Sequence, residues 1–273
     1  MAVGFFLDLK KQCMHQITTK TVVFISGAFV SHYYWEQWLW YFKSKGYKVV
    51  APPWIHKNDT PGNLRNENSC NKMGSISLSE LLCYYTEIIE QLQEKPILIG
   101  HSYGGLLVQL LVQQDLAFAG VCISSFPPAG LSFKKLAFYK NILQFLNIFF
   151  SDKSIVLTFK KWQNILYNSA LEEEQIIEFD DFMIPESQRA FRDLLLKNTR
   201  VNFRKKHVPL FFIAGSEDKF VTSKVLYWNY KKYKNFYSIT CYKKVAGKDH
   251  FLILNPQWNE TAESIVKWLD RIS

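Results

Sequence analysis

The sequence predicts an α/β fold: a mostly parallel sheet flanked by helices on both faces, interrupted by an inserted helical cap. Three observations carry this. Short β-forming apolar runs alternate with segments of helical periodicity, the pattern of parallel strands joined by crossover helices. The strand rhythm lapses between Phe126 and about Arg200, where aromatic-rich helical segments take over, and it resumes at Val208. Finally, 273 residues that are 48% hydrophobic supply enough apolar surface for a sizeable core.

Taken in order, "TVVFISG" (Thr21 to Gly27) reads as a buried strand ending in a glycine turn, and Tyr33 to Tyr47 as a helix with aromatics at helical spacing. "YKVVAPP" is a second strand stopped by Pro52 and Pro53, followed by the polar loop "HKNDTPGNLRNENSCNKMG". Ser79 to Gln93 then forms a helix, with Leu81, Leu82, Tyr85, Ile88 and Ile89 inward and Glu80, Glu87 and Glu90 outward. "PILIG" is a strand, "YGGLLVQLLVQQ" a mostly buried helix and "AGVCISS" another strand. Residues 126–200, with "FKKLAFYKNILQFLNIFF" and "SALEEEQIIEFDDF", form the cap inserted between core segments 1–125 and 201–273. The core resumes with the strand and loop "VPLFFIAGSEDKF", a helix over Ser223 to Tyr233, the strand "FYSITCYKKV", the loop "AGKDHF" and a last helix over Asn259 to Ile272.

The five cysteines are scattered and contain no CxxC pair, so they read as reduced, mostly buried thiols of a cytoplasmic protein rather than a zinc or redox motif. No ligand cluster calls for a metal, and nothing calls for a cofactor. The apolar start "MAVGFFLDLKK" lacks the parts of a signal peptide, and no run approaches the roughly 20 apolar residues of an integral membrane segment. The net charge of +9 comes from lysines spread along the chain. The densest patch, Tyr230 to Lys244, interleaves bases with aromatics, but reads as a helix end followed by a strand with its lysines in solvent. Nucleic acid is therefore not expected as a partner.

Gly100-His101-Ser102-Tyr103-Gly104 fits G-x-S-x-G at a strand-to-helix junction, where small neighbours permit a strained turn that presents a serine at the sheet edge. The following helix N-terminus favours negative charge beside Ser102. A serine hydroxyl needs a base. Of the six histidines, His250 is best placed, in a loop after the last strand. His207 precedes a strand and so sits at the wrong sheet edge. His101 is directed away by the turn and reads as packing, and His32 and His56 read as structural loop residues. Asp218, just past a strand end, is the orienting carboxylate, with Glu217 and Asp249 as competitors. The oxyanion needs two N–H donors: Tyr103 supplies one, and the turn "ISGAFV" the other, with Ala28 the first choice and Phe29 the second.

These residues carry a resemblance to the α/β-hydrolase fold superfamily, in particular to esterase and lysophospholipase-like members with a GHSxGG elbow and a helical cap. "FISGAF", "GYKVVAPPW", "ILIGHSYGGLL", "PLFFIAGSEDKFV" and "GKDHFLI" stand in the superfamily's order over nearly the whole chain, and Ser102, Asp218, His250 follow its triad order. One departure is Ser26, where relatives commonly have histidine, so the hydrogen bonding of that turn must differ. The resemblance implies a serine hydrolase acting on a small-molecule carboxylic ester, with an apolar acyl or aromatic group suggested by the Phe-, Leu-, Ile- and Trp-rich cap. Amide, thioester and C–C hydrolysis use the same triad, and a non-catalytic ligand-binding protein on this fold is the contrasting reading.

Overall fold

The computed structural model describes residues 19–66, 72–129, 153–166, 177, 180–195 and 199–272. In chain order the main elements are β1 (Thr21–Ile25), α1 (Glu36–Ser44), β2 (Lys48–Val50), α2 (Leu78–Glu90), β3 (Ile97–His101), α3 (Tyr103–Gln113), β4 (Ala119–Ile123), β5 (Ser154–Ile155), α4 (Phe159–Leu166), β6 (Glu186–Ser187), α5 (Gln188–Leu195), β7 (Leu210–Gly215), α6 (Ser223–Lys232), β8 (Thr240–Val245) and α7 (Trp258–Ile272), with a single helical turn over Pro61–Leu64 between β2 and α2. Six strands form one parallel sheet in the order β2-β1-β3-β4-β7-β8, and β5 and β6 pair antiparallel outside it.

The helix layers follow from that order. The chain steps outward from β1 to β2, then reverses through α2 to β3 and keeps moving the same way through α3 and α6. Right-handed crossovers therefore put α1 on one face and α2, α3 and α6 on the other. The last helix, α7, packs against α1. Every residue of β1, β3, β4 and β7 is buried, which explains why these strands read as continuous apolar runs and not as alternating ones. The strand order reverses between β1 and β3, so the chain leaving their carboxyl ends diverges and opens a crevice there.

Local signals set the element boundaries. Ser77 caps α2 with Glu80 in a reciprocal capping box. The aromatic stretch expected to be one helix from Tyr33 divides into a 3₁₀ turn over His32–Trp35, capped by Ser31, and then α1, which ends as Gly46 turns to φ +84°. β8 begins at Thr240 rather than Phe236, because Asn235 accepts the Tyr237 N–H and holds residues 235–238 in a turn. The lysines of this patch are largely in solvent, with Lys231, Lys232, Lys234 and Lys244 exposed. Of the cysteines, Cys122 is buried but Cys83 is exposed on α2, against the expectation of mostly buried thiols, while Cys13 and Cys70 lie outside the described residues. Among the described residues no helix is long and apolar enough to cross a membrane. The cap segment "FYKNILQFLNIFF" and most of "SALEEEQIIEFDDF" also lie outside them.

Candidate active site

Ser102 sits between β3 and α3 at φ +56°, ψ −116°, a conformation that an L-residue holds only under constraint. Backbone-to-backbone packing supplies the constraint. A Cβ on Gly100 would lie 2.3 Å from the Gly104 carbonyl oxygen, and one on Gly104 would lie 2.2 Å from that of Ile25 in β1. The Ser102 carbonyl accepts from Gly105 N and Phe126 N, and its own N–H donates to Ile123 O of β4 at 2.9 Å. The hydroxyl is thereby presented at the carboxyl edge of the sheet.

The loop after β8 brings His250 to it. Ser102 Oγ donates to His250 Nε2 at 2.9 Å, and His250 Nδ1 donates to Asp218 Oδ2 at 2.8 Å. A carboxylate can only accept, which places the imidazole proton on Nδ1 and leaves Nε2 free to take the serine proton. Asp218 is itself fixed, because its Oδ1 accepts from Phe220 N at 2.9 Å and Val221 N at 2.7 Å. All three residues are at most 4% exposed. Of the competitors, Glu217 is exposed and accepts from Ser216 Oγ, while Asp249 accepts from Phe251 N.

The turn after β1 lies against Ser102, since a Cβ on Gly27 would approach Ser102 Cβ to 3.0 Å. Of the two donors considered there, Phe29 has its N–H committed to Glu186 Oε2 at 3.0 Å, which counts against it. Ala28 directly follows Gly27 in that turn, and Tyr103 N opens α3, where the N–H groups of a helix start have no intrahelical partner. With serine at position 26, the turn is held from elsewhere: Gly27 N donates to Tyr34 Oη at 3.0 Å and Trp54 Nε1 donates to Ser26 O at 3.2 Å.

His101 does more than pack. Its Nε2 donates to the backbone carbonyl of His250 at 2.9 Å, and its Nδ1 faces Tyr34 Oη at 3.5 Å. The residue before the nucleophile thus ties the base loop to the β1 turn, a role that its place beside Ser102 did not signal. Burial holds the His101 pKa well below the ordinary histidine value, with the nearby His250 adding to the effect. A histidine whose folded pKa is depressed takes up its proton first in the unfolded chain, so its stability contribution is present above about pH 6.5 and is lost as pH falls below it. His32 and His207 shift the same way through burial. Unfolding free energy should therefore fall between pH 7 and pH 5, by up to about 1.4 kcal/mol per pH unit for the fully buried His101 and by less for the partly exposed His32 and His207. His101→Gln, which keeps a donor for the His250 carbonyl, should flatten that slope in urea titrations. Parallel pH dependences for the two proteins would rule out His101 as a contributor. His56 is exposed at φ +60°, and His207 lies at the opposite sheet edge, before β7.

Aromatic rings enclose the site. Phe29 meets Phe191 at 5.2 Å between centroids, Phe191 meets Phe126, Phe126 meets Phe220 at 5.3 Å, and Phe220 stands edge-on to His250 at 5.2 Å. This arc runs from the β1 turn to the imidazole and gives the three polar groups apolar surroundings, where directed hydrogen bonds are stronger. Among the described residues no three His, Cys, Asp or Glu side chains group as a metal site.

Comparison with known proteins agrees with this architecture. A monoacylglycerol lipase from Paleococcus ferrophilus superimposes with a TM-score of 0.69 at 20% identity, over 94% of this chain and 96% of the other. Tomato methylketone synthase I gives 0.70 at 16% identity, over 94% of this chain and all of the other. Polyneuridine aldehyde esterase gives 0.65 at 18% identity, over 92% of this chain and 99% of the other. No curated protein sequence matches the chain. A model of the alpha/beta hydrolase family matches residues 22–260, and the chain belongs to that family.

Proposed function

We propose that the protein is a serine hydrolase that cleaves a carboxylic ester through an acyl-enzyme. The observation that carries this reading is the continuous hydrogen-bonded chain Ser102–His250–Asp218, at 2.9 and 2.8 Å, in a buried site at the sheet switch point. Ser102 Oγ attacks the acyl carbon while His250 Nε2 takes its proton, and Asp218 holds the tautomer and balances the imidazolium. The oxyanion that forms is received by the N–H groups of Tyr103 and Ala28. His250 then returns the proton to the leaving alcohol, and water attacks the acyl-enzyme with His250 as base to release the acid.

Ester chemistry is preferred over amide, thioester or C–C cleavage because two of the structural neighbours are a lipase and an esterase by name. A non-catalytic binding protein on this fold has no use for a fully connected triad. Residues 126–200 are assigned as the cap and 1–125 with 201–273 as the catalytic core. The aromatic arc from Phe29 to Phe220 supports an apolar acyl or aromatic substrate group. We further propose a cytoplasmic enzyme that acts without cofactor, metal or nucleic acid.

Labelling with a fluorophosphonate probe tests the nucleophile directly. The intact protein should label and Ser102→Ala should not; equal labelling, or none in either, overturns the reading. On p-nitrophenyl esters in the same assay, kcat/KM should rise from acetate to longer acyl groups, and a maximum at acetate would exclude the apolar acyl site.

A further inference from the structure

Among the described residues outside the triad, the most deeply buried charges are Lys57 and Glu186, 2% and 0% exposed, whose side chains meet at 2.7 Å. Burying two ions is costly enough that such a pair is poor evidence of a stabilising device, so what else it holds becomes the question. Glu186 Oε2 accepts from Lys57 Nζ and also from Phe29 N at 3.0 Å, while Oε1 accepts from Ser187 N at 2.7 Å. Lys57 lies over the Trp54 ring at 4.3 Å, and that indole donates to Ser26 O. The pair therefore grips the β1 turn at both ends, Ser26 and Phe29.

Phe29 needs such a grip. It sits at φ +65°, a left-handed conformation that is strained for an aromatic residue and survives only where its surroundings fix it. Its carbonyl accepts from Ile184 N at 3.1 Å, Val30 bridges to Met183, and Ser31 N donates to Phe182 O at 2.8 Å. Arg65 holds the same segment by donating to the Asp180 and Met183 carbonyls, each at 3.0 Å. Tyr103 reaches it too, its hydroxyl donating to Ala190 O at 3.0 Å. One short piece of chain, residues 182–190, thus touches both places from which oxyanion donors are drawn. Burial lowers the Lys57 pKa, and the Glu186 charge opposes that shift.

We infer that Glu186, oriented by Lys57, is a positioning residue for the oxyanion hole: by accepting the Phe29 N–H it holds the β1 turn in the left-handed conformation that sets the Ala28 N–H beside Ser102. The inference rests on the serine hydrolase reading above. The charge fixes the carboxylate, and the hydrogen bond to Phe29 fixes the turn, so the two functions separate by substitution.

Glu186→Gln leaves Lys57 buried without a counter-charge and turns one acceptor oxygen into a donor. It is expected to lower kcat on p-nitrophenyl butyrate on the order of 10- to 100-fold with KM changed less than about threefold, the size of effect that follows when a donor is displaced rather than removed. Lys57→Met combined with Glu186→Gln removes the charges and leaves one amide oxygen, which can accept from Phe29 N–H if the amide nitrogen is turned toward Ser187 N, and should recover part of the lost kcat. Lys57→Met combined with Glu186→Leu should fold, as apolar replacements of buried ion pairs often do, yet stay slow because Phe29 N–H has lost its acceptor. Hydrogen exchange of residues 27–31 should be faster in the Leu variant than in the double Gln variant. A folded Leu variant with wild-type kcat, or with wild-type exchange at 27–31, overturns the inference, and so does a double Gln variant that folds but recovers nothing. Failure of the hydrolase reading is seen separately, as absence of Ser102-dependent labelling in the unaltered protein.

Discussion

Asp218→Asn is expected to cut kcat by about 10⁴-fold while leaving the fold and the thermal midpoint nearly unchanged. The magnitude is taken from the serine proteases, but the direction follows from this site. Phe220 N and Val221 N both point at Oδ1 of Asp218. In the variant those two donors require the amide oxygen, so the amide nitrogen takes the place of Oδ2 and faces His250 Nδ1, 2.8 Å away in the parent. A donor there forces Nδ1 to accept, which moves the imidazole proton to Nε2, against Ser102 Oγ. The base is then blocked by its own proton, and no counter-charge meets the imidazolium. Rates with p-nitrophenyl butyrate, read beside the fluorophosphonate labelling rate, should fall together. A loss of less than tenfold would mean that Asp218 does not set the tautomer.

The same residues show what a sequence makes legible. Strands β1, β3, β4 and β7 could be read because each is buried on both faces and so is continuously apolar. Ser102, Asp218 and His250 could be placed because each follows a strand of that sheet, and in a parallel sheet all such positions share one edge. The contacts that hold the site in shape left no such trace. Lys57 falls in a polar loop and Glu186 is 129 residues away, so nothing local marks either as buried. His101 and the His250 carbonyl are 149 residues apart, and a hydrogen bond to a backbone oxygen places no demand on the partner's identity. The choice between Ala28 and Phe29 was likewise open in sequence, because only backbone is used. In the structure the carboxylate of Glu186 takes the Phe29 N–H, a contact that the sequence does not signal.

Gly104→Ala is expected to destabilise the fold by about 3 kcal/mol or more, measured as a shift in the urea midpoint. The new carbon would stand 2.2 Å from Ile25 O and 2.6 Å from Ser26 O. Neither oxygen belongs to a side chain that can rotate away. Ile25 is the last residue of β1, buried and paired in register with Gly100, so relief must come from lifting α3 off β1 or from unpairing the strand end. Either movement displaces the turn through Ser26 and Gly27 that carries Ala28 past Ser102, so any folded fraction should also be slow, with kcat more affected than KM. Gly62→Ala is the control, since nothing lies within 4 Å of its added carbon and it sits in a short helical turn, where alanine is tolerated. Near-equal midpoints for the two variants would show that α3 can withdraw from β1 at little cost. A large difference between them would mean that the last glycine of G-x-S-x-G serves the neighbouring strand as much as the serine: it is the point at which α3 and the turn after β1 are pressed together.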